Sequence, residues 1–417
     1  MYIKQLTNEE FNKFKDEFNS KSLYQTPEYA FIMNAQMYDS LFLGLVDDEE
    51  IIAASLVLVT TVKSYRYAYA PRGFLIDYNN TVLLDLFTKK IRKYLGKMDI
   101  VAITISPMII KNVYDPKYKV STPNQYYDTI YNNLKKFGYK HLGYNHYFEA
   151  NKPRYEGVLE LDLPPYMLFR NIRKEFRTKI RSAEKRGVKI YKGDYNNLEY
   201  LYLQTKEKYP RDLRYFKDCY QFFDKNKMVD FFYSKIHTIQ YLEIIKSEYE
   251  EYEDLVQTID NEILEATSKG YDTSKLINQK LEYDKILANY QHELVRATKL
   301  LSEHPDGVIT ASALVIKTKD EVYLLMDGYD HNYKSLNSKH LLIWKLIEKY
   351  STEGYKKFNF GGMSDPNLAE NKYKGLNDFK LGFGSKVQEY IGDLELVTNA
   401  PLYFIFINNT FVKFFKD

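Results

Sequence analysis

From Leu242 to Leu301 the chain carries two successive heptad seams, and no other stretch restricts its possible folds so narrowly. Leu242, Ile245, Tyr249, Tyr252, Val256, Ile259, Ile263 and Ala266 alternate spacings of three and four; Leu276, Lys280, Tyr283, Leu287, Tyr290, Leu294, Ala297 and Leu301 repeat the pattern. Apolar residues at that spacing share one stripe of a helix and need a second helix to cover them. Between the seams, SKGYDTSK supplies a glycine stop and then Asp272, Thr273 and Ser274 as N-cap candidates. The pattern predicts an antiparallel coiled-coil hairpin over 241–303, an arm that interrupts a globular domain. Lys280, the polar seam residue, is placed to snorkel or to set register. The alternative is pairing of the seams between two copies of the chain.

The flanks of the arm read alike. SLFLGLVDDEEIIAASLVLVTT (40–61) and GVITASALVIKTKDEVYLLMDG (307–328) are each two β-rich runs around an acidic turn, the signature of a hairpin. Each precedes an amphipathic helix, a glycine and a strand ending near proline, at 83–107 and 340–366. This order predicts duplication of one α/β unit. DTIYNNLKKFGYKHLGY (128–144) adds a helix and strand to the first unit. The boundaries expected are 1–148 for the first unit, completed by 386–417, and 149–240 with 304–385 for the second. The tail from Val387 reads as a strand, a turn at Asn399 to Pro401 and an amphipathic element that packs on the first unit or touches a membrane surface.

Several chemistries are excluded early. A single cysteine, Cys219, removes disulfide frameworks and cysteine-based zinc or redox centres, and the seven histidines form no HExxH. Neither GxxxxGK[ST] nor GxSxG occurs. Catalysis without metal or bound cofactor is expected. The longest apolar run, Ile51 to Val62, is too short and too interrupted to span a bilayer. MYIKQLTNEEFNKFKDEF lacks the apolar stretch of a secretory signal, so a cytoplasmic location is expected.

Charge is unevenly placed. Residues 241–303 hold 14 acidic and 7 basic residues, a local net of −7, which leaves +10 elsewhere against the overall +3. Arg170 to Lys189 carries nine basic residues and two acids. Arg170, Arg173, Arg177 and Arg181, with Lys174 beside them, recur at helical spacing against an apolar stripe of Phe169, Ile172, Phe176 and Ile180. That pattern suits contact with nucleic-acid phosphates, or else a solvated helix face. Arg211 and Tyr215 are i, i+4 neighbours suited to a phosphate or carboxylate, unless Asp212 or Asp218 takes the guanidinium. In NFGGMSDPNLAENKYKGLNDFKLGFGS (359–385), Gly361 and Gly362 permit close backbone approach by a ligand. Lys380, after Phe379, is able to neutralise an oxyanion.

At these residues the chain resembles the Fem (FemABX) family of peptidoglycan aminoacyltransferases, which use aminoacyl-tRNA to build cell-wall peptide bridges. The similarity lies in LYQTPEYAFIM, YAPRGFLID (69–77), the basic stretch ending KRGVKI, Arg211 to Tyr215, FNFGGMSDP and the closing YKGLNDFKLGFGSKVQEYIGDLELV with its FKxGF core. It implies an α/β (α+β) fold of two GNAT-like, acyl-CoA N-acyltransferase-like subdomains with the helical arm inserted in the second. It also implies amide formation, in which an amine of a lipid-linked or UDP-linked muropeptide attacks glycine, alanine or serine esterified to tRNA. By the resemblance, Lys380 stabilises the oxyanion and the Phe379 backbone orients the acyl group. Arg211 and Tyr215 hold the precursor's phosphate or adjoining groups, and Tyr329 lines the pocket. Some members carry a lysine in the helix after QT to meet that phosphate; this chain has Met33. The acidic arm disfavours phosphate, so tRNA contact is assigned to the basic helix and the arm to protein contact or scaffolding, with related aminoacyltransferases or a second copy as partners. The rival readings are an acyl-CoA N-acyltransferase, which lacks its pyrophosphate loop here, and a non-catalytic tRNA- or wall-precursor-binding protein.

Overall fold

The computed structural model describes residues 1–18, 22–147, 151–207, 211–368 and 370–409. The first part of the chain forms β1 (Tyr2–Gln5), α1 (Asn8–Glu17), α2 (Pro27–Ala35), β2 (Asp39–Asp47), β3 (Glu50–Val62), β4 (Tyr65–Ala70), α3 (Thr81–Gly96), β5 (Ile100–Ile105), β6 (Ile110–Tyr114), β7 (Val120–Pro123), α4 (Tyr127–Lys136) and β8 (Tyr139–His141). Then come β9 (Tyr155–Glu160), α5 (Pro165–Asn171), α6 (Lys174–Lys185), β10 (Val188–Gly193), α7 (Leu198–Thr205), α8 (Leu213–Asp224), β11 (Val229–Ile236) and the long helices α9 (Thr238–Ser268) and α10 (Ser274–Glu303). β12 (Val308–Lys317), β13 (Glu321–Tyr329), α11 (Ser338–Thr352), β14 (Lys357–Met363), α12 (Lys374–Gly382), β15 (Lys386–Tyr390), β16 (Leu394–Val397) and α13 (Ala400–Asn409) complete it.

Two sheets run in the orders β1-β2-β3-β4-β5-β16-β8 and β10-β11-β12-β13-β14-β9-β15-β6-β7. β1 to β5 and β10 to β14 repeat one plan, an antiparallel meander whose last strand is reached through a helix and lies parallel to its neighbour. The correspondence is offset by one strand from the sequence-based pairing. β4, YRYAYA, is a strand the hydropathy pattern does not mark, and the hairpin 40–61 is the counterpart of β11 with β12. That second hairpin is hidden in the sequence because the arm stands where the first unit has the tight turn Asp48–Glu49. Both ends of the arm leave adjacent strand ends, with Ile236 opposite Val308.

Within the arm, Tyr241 donates to Glu293 (2.8 Å), Tyr290 to Glu248 (2.8 Å), and Lys280 pairs with Asp260. The descending order of partners makes the helices antiparallel, and Lys280 fixes their register. All the seam positions are buried or half-buried within the one chain, so pairing between copies is not needed to cover them. Gly270 has φ +72°, the left-handed turn that ends α9.

Two crossings differ from the expected boundaries. β6 and β7, within 1–148, and β15, within 386–417, belong to the second sheet. β15 follows α12 after three residues and adds to β9, with Val387 opposite Gly157; only from Leu394 does the chain join the first sheet. The outgoing passage at Ile109 and the returning one at Ile391 lie side by side, joined by a 2.8 Å backbone bond. A shared core, including Leu23, Tyr24, Ile32, Phe216, Phe223, Phe231 and Leu314, packs α1 and α2 of one unit against α7 and α8 of the other.

Conserving hydrogen bonds explains two of the sequence landmarks. Gln25 is fully buried and serves three backbone groups, donating to Leu56 O (3.2 Å) and Pro71 O (2.7 Å) and accepting from Leu56 N (2.7 Å). Thr26 then caps α2 by accepting from Tyr29 N (3.1 Å). In YAPRGFLID, Arg72 reaches from the end of β4 to Glu156 on β9 (2.6 Å) and to Pro153 O (2.8 Å), both side chains of the ion pair being buried. The motif is the joint between the sheets.

Candidate active site

α12 is fixed at both ends. Asn377, buried, accepts from Ser364 N (3.1 Å) and donates to Ser364 O (3.0 Å), tying the loop after β14 to the helix. At the other end a Cβ on Gly382 would lie 2.2 Å from the Phe176 ring, and Arg173 N donates to Gly382 O (2.9 Å). The glycine of FKxGF is therefore where α6 crosses α12, and no larger residue fits without displacing Phe176.

Between these anchors Lys380 is 8% exposed and its Nζ donates to Gly362 O at 2.5 Å. Burial pushes its ammonium pKa down to about 8, with Asp327 and Glu156 opposing that shift and Lys339 adding to it. Tyr329 and Phe379 share one cation, the Lys339 ammonium lying 4.4 Å from the centre of the Phe379 ring and 5.4 Å from that of Tyr329. Lys339 also pairs with Asp327, and His340 packs edge-on against Phe379 (5.4 Å). Burial, before Lys179 and Lys339, holds that imidazole neutral, its pKa lowered to about 3. Asp327, Lys339 and His340 were missed by sequence reasoning. The one available signal was an acid inside the apolar run LLMDG.

The expected opening for a ligand at Gly361–Gly362 is filled by the protein. A Cβ on Gly362 would meet Pro153 at 2.6 Å, and one on Gly361 would meet the Tyr323 hydroxyl at 3.1 Å. Gly361 also has φ +72°, and its N–H bonds Asn359 Oδ1 at 2.8 Å. These glycines let β14 bulge against β9, which aims the Gly362 carbonyl at Lys380.

Arg211 and Tyr215 lie in a second cluster, between α2 and α8. Arg211 is exposed and stacks on the Tyr215 ring at 4.8 Å. Asp212 is instead the N-cap of α8, bonded to Tyr215 N (2.8 Å), and Asp218 faces Arg214 at 3.9 Å. Among the described residues neither acid neutralises Arg211. Sequence reasoning also missed Lys152. Its ammonium lies 3.4 Å from the centre of the Tyr24 ring and 3.4 Å from the Tyr29 hydroxyl, one turn of α2 before Met33. Burial first, then Arg72 and Arg211, pushes its pKa well below the usual lysine range. An ammonium from the strand lead-in before β9 thus lies beside α2, where Met33 supplies none.

The basic segment is two helices rather than one. Ile172 and Arg173 are extended (ψ 140° and 136°) and separate α5 from α6, which frees the Arg173 N–H to bond Gly382 O. Nor is the segment unneutralised, because Lys185 pairs with Glu248 (2.5 Å) and Arg186 with Glu293, both from the arm. The opposite charges of arm and helix are partly a docking contact between them. Arg170, Arg173, Lys174 and Arg181 are exposed, Arg177 is half-buried with its Nε lacking a hydrogen bond, and none of the five is in an ion pair among the described residues.

Twin meanders, each closed by a parallel strand through a helix, define a tandem GNAT-like acyltransferase fold, here with a buried lysine on a carbonyl of the second unit. The crystal structure of FemX has this fold, matching with a TM-score of 0.74 over 97% of this chain and 99% of that one at 22% identity. The sequence pattern of the FemAB family matches residues 6–408, and the chain belongs to that family. Aminoacyltransferase FemA of Staphylococcus epidermidis is 24% identical over 421 residues, spanning 97% of this chain and 98% of the relative. Lipid II:glycine glycyltransferase of Staphylococcus haemolyticus is 24% identical over 411 residues, 95% and 93% of the two chains.

Proposed function

We propose that this chain is an aminoacyltransferase that moves an amino acid from aminoacyl-tRNA to the peptide of a peptidoglycan precursor, building an interpeptide bridge. The observation that carries the reading is the buried Lys380 ammonium, held on Gly362 O with Asp327 and Lys339 the foremost charges acting on it. The names of the two relatives support the reaction and a lipid-linked acceptor.

The ester to tRNA is already activated, so the chemistry needs position and charge rather than a covalent enzyme intermediate. The acceptor amine attacks the ester carbonyl and a C–N bond forms. The oxygen becomes an oxyanion beside Lys380, and on collapse the C–O bond to the terminal ribose breaks, the ribose hydroxyl leaving with the proton lost by the amine. Arg170, Arg173, Lys174, Arg177 and Arg181 contact the tRNA backbone. No cofactor is required beyond aminoacyl-tRNA as co-substrate.

Lys152 and Arg211 hold the phosphates of the acceptor, with Tyr215 orienting the guanidinium. Lys152→Ala and Arg211→Ala are each expected to raise KM for a lipid-linked muropeptide by about tenfold or more while changing kcat little. Steady-state kinetics with that acceptor and with a phosphate-free stem peptide check this, since the penalty should vanish for the peptide.

Among the described residues no helix is long and apolar enough to cross a membrane. α13 buries Phe406 against Tyr65 and Tyr67 but exposes Phe404, Ile405 and Ile407. That face suits contact with the inner membrane surface, where a lipid-linked acceptor is presented.

The test is transfer of radiolabelled glycine, alanine or serine from charged tRNA to lipid-linked and UDP-linked muropeptides, with and without ribonuclease. Ribonuclease-sensitive product is expected. Folded protein that yields none from any pair overturns the reading.

A further inference from the structure

The Lys380 cluster contains a carboxylate that the transfer reaction as described leaves without a task. Asp327 lies on β13, opposite Ala313, and its side chain is 20% exposed. It forms an ion pair with Lys339, at the start of α11, whose ammonium also rests on Phe379. A carboxylate has about four acceptor positions, so one lysine leaves most of them open. Asp327 is also the foremost charge acting on Lys380.

The donor makes this acid useful. In an aminoacyl ester the α-amino nitrogen is two bonds from the carbonyl carbon, so a carbonyl oxygen placed at Lys380 brings a further ammonium within a few ångströms. Lys380 and Lys339 already supply two positive charges there. A third is repelled unless a carboxylate faces it.

We propose that Asp327 binds the α-ammonium group of the donor aminoacyl ester, with Lys339 holding the carboxylate in position. The inference rests on the assignment of Lys380 to the ester carbonyl and adds the group that recognises the donor as an amino acid. It makes the site selective for α-amino acyl groups over hydroxyacyl groups of the same size. Such selectivity is expected when a half-buried carboxylate is left unpaired by the wrong ligand.

The experiment uses tRNA ending in 3′-amino-3′-deoxyadenosine and acylated through the stable amide with either glycine or glycolate, which differ only in ammonium against hydroxyl. Equilibrium binding to the whole protein is measured for wild type, Asp327→Asn and Lys339→Met, with thermal melts to confirm folding. Wild type should prefer the glycyl form by roughly ten- to hundredfold, the range of one charge-assisted hydrogen bond. Asp327→Asn should bind the two forms within about twofold of each other, and Lys339→Met should keep most of the preference. Should Asp327→Asn fail to fold, Asp327→Glu, which keeps the charge, must retain a preference for the glycyl form. Equal binding of both forms by wild type, or an undiminished preference in Asp327→Asn, overturns the inference and leaves the transfer reaction standing. Binding of neither form, together with absent transfer from charged tRNA, overturns both.

Discussion

Lys380→Ala is expected to lower kcat by roughly 100- to 1,000-fold, the usual cost of removing one oxyanion-stabilising donor. KM for aminoacyl-tRNA and for the acceptor should stay within about threefold, because the charge it answers exists only after attack has begun. The pH dependence separates this role from a structural one. Burial lowers the Lys380 pKa to about 8, so the ammonium form is nearly complete at pH 6.5 to 7 by ordinary titration. It is lost as pH rises through 8. Wild-type kcat should therefore fall on the alkaline side by roughly tenfold per unit well above the pKa. The residual rate of Lys380→Ala should lack that limb. Asp327→Asn removes the charge that most opposes burial and should move the limb to lower pH. Single-turnover rates from charged tRNA across pH 6.5–9.5 measure all three. A kcat within threefold of wild type in Lys380→Ala would falsify the assignment.

The arm was legible because a heptad seam states its own partner. Leu242 to Ala266 and Leu276 to Leu301 require only each other, and Gly270 marks the turn. Lys380 and Phe379 stand out in the sequence for a different reason. Both sit in the closing FKxGF motif, whereas Tyr329 lies outside the motifs and shares with Phe379 the ammonium of Lys339. What the sequence hid is set by contacts over long separations. Lys152 meets Tyr24 and Tyr29 across more than a hundred residues, and no local pattern distinguishes it from other lysines. Asp327 and Lys339 become a pair only when β13 and α11 pack. The basic segment looked continuous because its spacing is helical throughout; the break at Ile172–Arg173 comes from α12, whose Gly382 carbonyl takes the Arg173 N–H. Strand exchange between the sheets was invisible too, since β15 pairs according to what lies beside it after α12, a tertiary fact.

Position in the fold also accounts for the Lys380 cluster lying in the second unit. In the first sheet β4 and β5 stay paired from Arg66 with Ile100 through Ala70 with Ile105. In the second, the equivalent β13 and β14 pair only from Glu321 with Lys357 to Tyr323 with Asn359. Beyond that point β14 bulges at Gly361 and the strands separate, so Asp327 and the Gly362 carbonyl are no longer tied into a ladder with each other. The first unit keeps its strands paired along this length.

Arg72→Met is expected to destabilise the fold by about 3–5 kcal/mol, the cost of stranding one member of a buried ion pair. Arg72 and Glu156 are 4% and 3% exposed. The guanidinium also lies 4.4 Å from the centre of the Tyr390 ring, and its backbone is left-handed with φ +52°, a conformation that non-glycine residues hold only when surrounding contacts fix it. Glu156 is hydrogen-bonded by Asn359 (3.0 Å) and Tyr390 (3.2 Å) as well. These neutral donors remain in the variant but do not replace the lost charge. Urea unfolding should show a lower midpoint with an unchanged slope, since the same surface is exposed on unfolding. The double variant Arg72→Met with Glu156→Gln should recover part of the loss, because it removes the orphaned carboxylate while keeping its shape. A double variant no more stable than Arg72→Met would mean that Arg72 acts through its Pro153 and Tyr390 contacts instead. Activity provides an independent reading. Glu156 helps hold up the Lys380 pKa, so Glu156→Gln should shift the alkaline limb of kcat downward even in protein that remains fully folded, tying the joint between the sheets to the chemistry at β14.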